Sequence, residues 1–177
     1  MTAPRPPAPR SHDVVIYTDG GCRGNPGPGG WAFLVINPAT GSALERCGAE
    51  RETTNNRMEL MGAIMALRSL RKDGLKVLLH SDSQYVIKAA SEWIPAWKAR
   101  GWRRKEGELK NVDLLKDLDE LGNRHAVRWE WVRGHNGNPG NERVDALTNQ
   151  AMDALQAGTD GQFEQRVTWP IPVPRSS

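Results

Sequence analysis

The stretch YTDGGCRGNPGPGGW, residues 17–31, joins a β-strand pattern to a run of glycine and proline. Strand-forming residues fill 13–18, and a carboxylate follows at Asp19, where the predicted strand ends. Because glycine has no side chain, the backbone after Asp19 can approach a bulky ligand closely. The stretch therefore predicts either a binding loop beside a functional carboxylate or a plain hairpin loop between two strands.

The 177 residues are enough for one domain with a buried core, flanked by tails. We expect a disordered, proline-rich arm at 1–11, a domain at 12–157 and a flexible tail at 158–177. No apolar run is long enough to cross a membrane, and the N-terminus lacks the apolar segment of a secretory signal. The two cysteines, Cys22 and Cys47, make no disulfide framework, so we expect a cytoplasmic protein.

Positive charge is concentrated in one segment. The chain has a net charge of +3, and residues 92–110 alone carry six Lys and Arg against three Glu. Such a patch indicates a polyanionic partner, although a charge run is also typical of a solvated helix face.

Hydrophobic periodicity predicts strands and helices in alternation, which is the order of an α/β protein. We expect strands at 13–18, 31–37, 42–49, 75–80 and 126–132. We expect helices at 54–71, 82–90, 92–99, 111–121 and 138–157. The first three strands should be antiparallel, and the strands reached through helices should run parallel to the first.

Four carboxylates occupy positions that a fold alone does not require. Asp19 and Asp82 follow strands that we expect to be neighbours, and ligands gather at such strand ends. Glu59 lies on the apolar face of its helix, where a charge needs a partner. Asp145 flanks the apolar stripe of the last helix. Taken singly, each has a structural interpretation: an Asx-turn for Asp19, a salt bridge or local cap for Glu59, an N-cap for Asp82 and a boundary position for Asp145.

As a set, the four carboxylates indicate a cation site. Like charges that converge repel each other unless a cation intervenes. All-oxygen ligands favour Mg²⁺ or Mn²⁺, and no His/Cys cluster is present to select zinc. Paired divalent ions on carboxylates suit phosphodiester hydrolysis. In that case the glycine-rich stretch would let a nucleic-acid strand lie almost on the main chain.

Five motifs, in order over residues 13–157, resemble the type 1 ribonucleases H of bacteria: YTDGGCRGNPGPGGW, TTNNRMELMGAIMAL, SDSQYVI, WKARGWRRKEGELKNVDL and WVRGHNGNPGNERVDALTNQA. The resemblance implies a ribonuclease H-like fold, a five-stranded mixed sheet with helices on both faces. It implies an endonuclease that cuts the RNA strand of RNA/DNA hybrids with Mg²⁺, leaving 5′-phosphate and 3′-hydroxyl ends. The metal ligands would be Asp19, Glu59, Asp82 and Asp145, and His135 would shuttle protons or assist product release.

The same resemblance implies the substrate contacts. Backbone and amide groups would read the RNA 2′-hydroxyls, and a phosphate pocket and the basic protrusion at 92–110 would hold the DNA strand. The RNA-strand positions are Cys22, Gly24, Asn25, Asn55, Asn56 and Gln84. The DNA-strand positions are Thr54 and Asn111 in the phosphate pocket, and Trp93, Arg103, Arg104 and Lys105 in the protrusion. Asn55 and Asn56 have helix capping as an alternative role. Trp97 and Trp102 have packing inside the protrusion as an alternative, and for Trp129 and Trp131 packing is the preferred interpretation.

Two positions depart from the family pattern. Arg51 and Glu52 leave the composition of the phosphate pocket open, and Gly140 replaces an acidic residue that is common before the NER run. Two further hypotheses stay beside the nuclease: a non-catalytic binder of hybrids, and a DNA-cutting enzyme of the integrase or resolvase type. We expect a monomer whose partner is an RNA/DNA hybrid.

Overall fold

Helices cover both faces of a mixed β-sheet in this chain, in a computed structural model that describes residues 12–102 and 110–169. The strands are β1 Val14–Cys22, β2 Gly27–Ile36, β3 Ser42–Thr53, β4 Lys76–Ser81, β5 Ala126–Trp131 and β6 Phe163–Thr168. The helices are α1 Asn55–Arg68, α2 Gln84–Lys88, α3 Ile94–Ala99, α4 Val112–Asn123 and α5 Pro139–Gln156, and a π-helical turn, Ala89–Trp93, joins α2 to α3.

The strands are ordered β5-β4-β1-β2-β3-β6 across the sheet. The strands β1, β2 and β3 form an antiparallel meander, whereas β4 runs parallel to β1 and β5 runs parallel to β4. This confirms the α/β class and the predicted strand directions. It also places the carboxyl ends of β1 and β4 side by side.

Alternation along β2 divides the core into two layers. Phe33 faces α1 and α4, and Leu34 faces α5. Both side chains are fully buried, because a sheet covered on both faces has no solvent side. Glu59 shares its side of α1 with buried Gly62, Ala63 and Ala66, as the helical periodicity predicts.

The expectations of five strands and of a flexible tail from residue 158 are both wrong for residues 163–168, which form a sixth strand, β6. Residues 163–168 pair antiparallel with β3, with Phe163 opposite Cys47 and Val167 opposite Ala43. Phe163 and Val167 point into the core layer under α5, Gln165 between them lies on the same face and donates to the buried Glu45, and Glu164 and Arg166 are exposed. The prolines that begin at Pro170 dominated the sequence interpretation and concealed this short alternation.

Polar side chains fix the starts of three helices. Thr54, Ser83 and Asn138 accept hydrogen bonds from backbone N–H groups of the first turns of α1, α2 and α5, respectively. Two of these caps lie within a few residues of a candidate carboxylate, so capping and site geometry are coupled.

Some sequence expectations fall outside the described residues. These are the arm at 1–11, the end of the tail at 170–177, and Arg103, Arg104 and Lys105 of the basic protrusion. Within the part of the chain that the structure describes, no helix has the length and apolar composition to cross a membrane.

Candidate active site

Asp19 lies near the end of β1, with Ala32 of β2 as its cross-strand partner and the end of β4 on its other side. It is 9% exposed. The Thr148 side chain of α5 and the Gly20 backbone act on its carboxylate and lower its pKa, while the Thr148 hydroxyl donates to the Val144 carbonyl at 2.9 Å. A buried carboxylate at the centre of the sheet is thus reached by only a few protein donors.

Glu59 projects from the second turn of α1 towards the same end of the sheet. The Asn55 side-chain amide donates to its Oε1 at 2.8 Å, and the Ser83 hydroxyl donates to its Oε2. Ser83 also caps α2, because its hydroxyl accepts from the Val86 N–H at 3.1 Å. The carboxylate of Glu59 therefore connects the first turns of α1 and α2.

Asp82 follows β4 directly and is held by the chain around it. The indole Nε1 of Trp131 donates to the Asp82 carbonyl oxygen at 3.1 Å. A Cβ atom on Gly134 would stand 3.0 Å from the Asp82 carboxylate, so the loop after β5 passes close to it. Trp131 is 43% exposed, so packing, the expected role, accounts for only part of its surface. Trp129 packs against the core, as expected.

Asp145 and His135 enter the site from α5 and from the loop that precedes it. Asp145 is half-buried on the second turn of α5, and His135 is exposed with a left-handed φ of 56°. The loop passes close to Asp82 at Gly134, the residue before His135, and the charge of His135 lowers the pKa of Asp82. The five residues predicted as catalytic therefore meet at one end of the sheet.

The carboxylates act on one another electrostatically. Burial, together with the charges of Asp82 and Asp145, raises the pKa of Asp19 to about 8. Burial and the charge of Asp145 raise the pKa of Asp82. Burial also raises the pKa of Glu59, and the charge of Asp82 adds to this increase. Such mutual repulsion identifies a site that carries more negative charge than the protein neutralises.

The donor set fits a hard divalent cation. All four side chains offer carboxylate oxygens, the ligands that Mg²⁺ and Mn²⁺ prefer. In the described residues, no three His, Cys, Asp or Glu side chains are already arranged to hold one ion. The hydrogen bonds from Asn55 and Ser83 hold the Glu59 carboxylate, so ligation by Glu59 would require it to exchange or share these donors.

Two glycines set the distance between α1 and β1. A Cβ atom on Gly20 would stand 2.2 Å from the Met58 backbone carbon, and one on Gly62 would stand 2.6 Å from the Asp19 carbonyl oxygen. Neither distance is possible between real atoms, so only glycine permits this approach. The glycine that follows Asp19 thus serves helix–strand contact, a role that the sequence analysis did not consider.

The predicted 2′-hydroxyl contacts lie along the rim of the site. Asn25 accepts from the Asn55 backbone N–H at 3.2 Å, which links the glycine-rich loop to the start of α1. The Cys22 thiol donates to the Gly27 carbonyl at 3.2 Å. Capping is the role of Thr54 and not of Asn55, whose amide contacts Glu59. Gly24 lies in the same loop, and Asn56 and Gln84 are exposed near the first turns of α1 and α2.

Arg57 is the residue that the sequence analysis missed. Its backbone N–H donates to Thr54, and its guanidinium donates to Asn111 at 3.4 Å and to Asp113 at 3.0 and 2.8 Å. It therefore lies between both residues predicted for the phosphate pocket. Arg57 lies on the polar face of α1, which by itself indicates no contact with Asn111. Only the packing of α4 brings Asn111 close to it. Arg51 and Glu52 are exposed on β3.

Aromatic side chains extend from this pocket towards the protrusion. The Tyr85 hydroxyl accepts from Asn111, and the ring of Tyr85 lies 5.7 Å from that of Trp93, which lies 5.7 Å from that of Trp97. Trp93, Trp97 and Trp102 are partly buried against the core. Packing is therefore a role of Trp97 and Trp102, and the exposed part of Trp93 stays available for a ligand.

The packing of Tyr17 explains why residue 140 of this chain is a glycine. A Cβ atom there would stand 2.6 Å from the Tyr17 ring, and that ring stacks on His80 at 4.5 Å. Tyr17 also hydrogen-bonds with Asn138, which caps α5. The start of α5 thus packs on the Tyr17 ring, and this contact also positions the loop that carries His135.

A mixed sheet with this strand order, and with carboxylates at the ends of β1 and β4, has the ribonuclease H-like fold. The profile of the ribonuclease H family matches residues 11–153. Ribonuclease HI of Pseudomonas putida is 54% identical over 148 residues, which cover 83% of this chain and 98% of that protein. Among solved structures, LC9-RNase H1 has a TM-score of 0.75 and 33% identity, covering 88% of this chain and 79% of that one.

A further solved structure, LC11-RNase H1 in complex with an RNA/DNA hybrid, has a TM-score of 0.60 and 24% identity, covering 81% of this chain and 99% of that one. The chain belongs to the ribonuclease H family. It is a ribonuclease H of the bacterial ribonuclease HI type, as its motifs predict.

Proposed function

We propose that this protein hydrolyses the RNA strand of RNA/DNA hybrids by a two-metal-ion mechanism, leaving 5′-phosphate and 3′-hydroxyl ends. The observation that carries the proposal is the position of Asp19, Glu59, Asp82 and Asp145 at one end of the sheet, where the charges of Asp82 and Asp145 raise the pKa values of neighbouring carboxyls. The family and the hybrid bound by LC11-RNase H1 support the choice of substrate.

The cofactor would be Mg²⁺, with Mn²⁺ as a substitute. Asp19, whose pKa the charges of Asp82 and Asp145 raise, would hold the ions together with those two residues and Glu59. When bound, the ions would activate water and stabilise the leaving oxygen. Asn55 and Ser83 hold the Glu59 carboxylate in place, and it would share or exchange these donors when an ion binds.

Hydrolysis forms a bond between the water oxygen and phosphorus and breaks the bond from phosphorus to the 3′ oxygen. The leaving 3′ oxygen needs a proton, and the attacking water loses one. His135, exposed on the loop that passes close to Asp82, would exchange protons between the site and solvent. Gly134 and Gly137 flank it, and Gly137 has a positive φ that few other residues adopt.

Recognition of the hybrid would use two surfaces. The amides of Asn25, Asn55, Asn56 and Gln84 and the backbone at Cys22 and Gly24 would contact RNA 2′-hydroxyls, which DNA lacks. Arg57, Thr54 and Asn111 would hold a DNA phosphate, with Trp93 and the cations Arg103, Arg104 and Lys105 beyond them. The backbone N–H of Asn55 is bonded to Asn25, so its side chain is the group directed at both Glu59 and ligand.

A strand-labelled cleavage assay tests the proposal. RNA/DNA, RNA/RNA and DNA/DNA duplexes of one sequence are incubated with Mg²⁺, with and without chelator. We expect cutting of the hybrid's RNA strand alone, abolished by chelator. Tight binding of the hybrid without cutting in Mg²⁺ or Mn²⁺ would contradict the proposal in favour of a non-catalytic binder, and cutting of duplex DNA would favour an integrase-type enzyme.

A further inference from the structure

All four residues of the loop between β1 and β2, 23–26, are exposed. The loop belongs to the glycine-rich stretch that we propose to contact the RNA strand. Because an exposed loop has no apolar side chains packed beneath it, its polar contacts hold it in place. The direction in which this loop presents its backbone therefore depends on those contacts.

On one side, hydrogen bonds fix the loop to α1 and close its base. Asn25 accepts from the Asn55 backbone N–H at 3.2 Å, and the Asn55 side chain donates to Glu59. The Arg23 backbone N–H donates to the Pro28 carbonyl oxygen at 2.8 Å. These contacts leave the side of the loop that faces α5 to another group.

On that other side, the Arg23 side chain connects the loop to α5. Its Nη2 lies 2.7 Å from Oδ1 of Asp153 and 3.5 Å from Oδ1 of Asn149, and its Nη1 lies 3.4 Å from Oε1 of Gln156. The three acceptors have the spacing of a single helix face. The opposite face of α5 is buried against the sheet, so Arg23 ties the loop to a fixed support.

The neighbours of Arg23 in the chain are Cys22 and Gly24, whose backbone groups we propose to contact RNA 2′-hydroxyls. Gly24 has a φ of 80°, so the chain turns sharply at this point. The direction of the Arg23 side chain is thus linked to the orientation of the peptide units on either side of it. The same contact leads to a candidate metal ligand, since Asn149 donates from Nδ2 to the Asp145 carbonyl oxygen at 3.0 Å.

We propose that Arg23 is a positioning residue for recognition of the RNA strand, because it holds the loop against α5 through Asp153. This inference rests on the nuclease function proposed above. The alternative is a direct contact of the Arg23 guanidinium with a phosphate of the hybrid. Positioning fits the geometry better, since Asp153 neutralises the charge and acceptors on α5 engage both terminal nitrogens.

The Arg23–Asp153 pair is exposed, so its removal should not unfold the protein. The two side chains are 39% and 68% exposed, and pairs of this kind contribute little to the free energy of unfolding. Variants of either residue should keep a melting temperature within about 4 °C of the wild type. A change in substrate binding is then a local effect on the loop.

The test compares Arg23→Ala, Asp153→Ala and the double variant of the full chain. Affinity is measured in chelator for an RNA/DNA hybrid and for a DNA/DNA duplex of the same sequence, and KM and kcat are measured for hybrid cleavage with Mg²⁺. The controls are Arg124→Ala and Glu120→Ala. They break an exposed pair on α4 and change the net charge by the same amounts.

Each single variant should weaken hybrid binding and raise KM about fivefold, because the hybrid must then order the loop. The value of kcat should change less than about twofold. The double variant should lose no more than Arg23→Ala, since both residues act through one contact. Duplex DNA binding should change only as in the controls, because DNA lacks the 2′-hydroxyl. Arg23→Lys should recover part of the loss, since lysine pairs with Asp153 without matching all three acceptors.

Three results would overturn the proposal. Tighter hybrid binding by Asp153→Ala than by Glu120→Ala would mean that the released guanidinium contacts the substrate itself. Equal losses of Arg23→Ala for hybrid and duplex DNA, with a salt dependence lower by about one unit, would identify a phosphate contact. Agreement of Arg23→Ala with Arg124→Ala in every measurement would leave Arg23 as a surface pair only.

Failure of the proposed nuclease function would look different. The wild type would then bind the hybrid and cut neither strand with Mg²⁺. In that case the affinities in chelator, which need no cleavage, would still decide whether Arg23 positions the loop.

Discussion

Arg143 of α5 donates two hydrogen bonds to the carboxylate of Glu45 of β3, with Nε 2.5 Å from Oε2 and Nη2 3.0 Å from Oε1. Glu45 is only 1% exposed, and Gln165 of β6 donates to the same Oε1 at 2.6 Å. Three elements thus meet at one buried carboxylate. Arg143 precedes Asp145 by two residues, so the pair anchors the helix that carries a candidate ligand.

Replacing Arg143 by leucine should therefore destabilise the fold. Glu45 would keep a buried charge with no cation beside it, and such losses cost about 3–5 kcal/mol. The guanidinium side chain is 34% exposed, so we expect the low end of that range, about 3 kcal/mol. The measurement is urea unfolding at neutral pH. Arg128→Leu is the control, because its pair with Glu130 is exposed and should contribute at most about 1 kcal/mol. Equal losses in the two variants would refute the special role of Arg143.

The same carboxyl should make stability depend on pH. Burial raises the pKa of Glu45, but the hydrogen bonds from Arg143 and Gln165 and the charge of Arg143 outweigh it, so the pKa lies below its ordinary value of 4.5. The unfolded chain then binds the proton more readily than the folded chain. The stabilisation is complete above the ordinary pKa and is lost as pH falls through the folded pKa. Comparing the melting temperatures of the wild type and Glu45→Gln between neutral pH and pH 3 should show a difference that shrinks on acidification. Parallel curves would exclude Glu45 as the source.

Asp19→Asn should abolish cleavage and leave the fold at least as stable. Its carboxylate is buried and repelled by Asp82 and Asp145, which raise its pKa, and neutralising a carboxyl whose pKa is raised by folding should stabilise the fold by about 1 kcal/mol or more at neutral pH without metal. The same change should remove most of the stabilisation that Mg²⁺ provides to the wild type. The measurement is thermal unfolding with and without Mg²⁺, beside the cleavage assay. Cleavage by purified Asp19→Asn at a rate near that of the wild type would contradict the assignment.

Gly20→Ala should impair both stability and activity. The added Cβ would meet the backbone of Met58 and Glu59 at 2.2–2.4 Å, which forces α1 away from β1 and moves Glu59 from Asp19. Overpacking of this kind costs about 1–3 kcal/mol. Gly122→Ala in α4 is the matched control, since its nearest neighbour would be 3.9 Å away and alanine favours a helix by up to about 1 kcal/mol. A Gly20→Ala protein as stable and active as Gly122→Ala would disprove the close approach.

Gly140 and Tyr17 should behave as a coupled pair. Gly140→Ala should lower stability and slow cleavage, because the new Cβ would meet the Tyr17 ring and displace the start of α5. Tyr17→Leu should relieve that clash, so the double variant should lose less than the sum of the single losses, with a coupling of about 1 kcal/mol or more. Strict additivity in the cycle would show that the two residues do not contact each other.

Sequence patterns predicted the strand directions, most helix positions and the four carboxylates, because each depends on local periodicity or on long motifs. The start of α1 shows the limit: the motif predicted Asn55 as a substrate contact or a cap, but only the structure pairs its amide with Glu59. Arg57 was missed for the same reason, since Asn111 and Asp113 are distant in the chain. The strand β6 was missed because prolines that follow it outweighed a short alternation.

The sequence by itself determined the family, the directions of the first five strands and the candidate site residues, since periodicity and motif spacing are written along the chain. Only the tertiary structure decided how close those residues lie, which donors hold them, and that Gly20, Gly62 and Gly140 permit the contacts. Distances between segments arise from packing, and packing depends on pairs of residues that no local pattern relates.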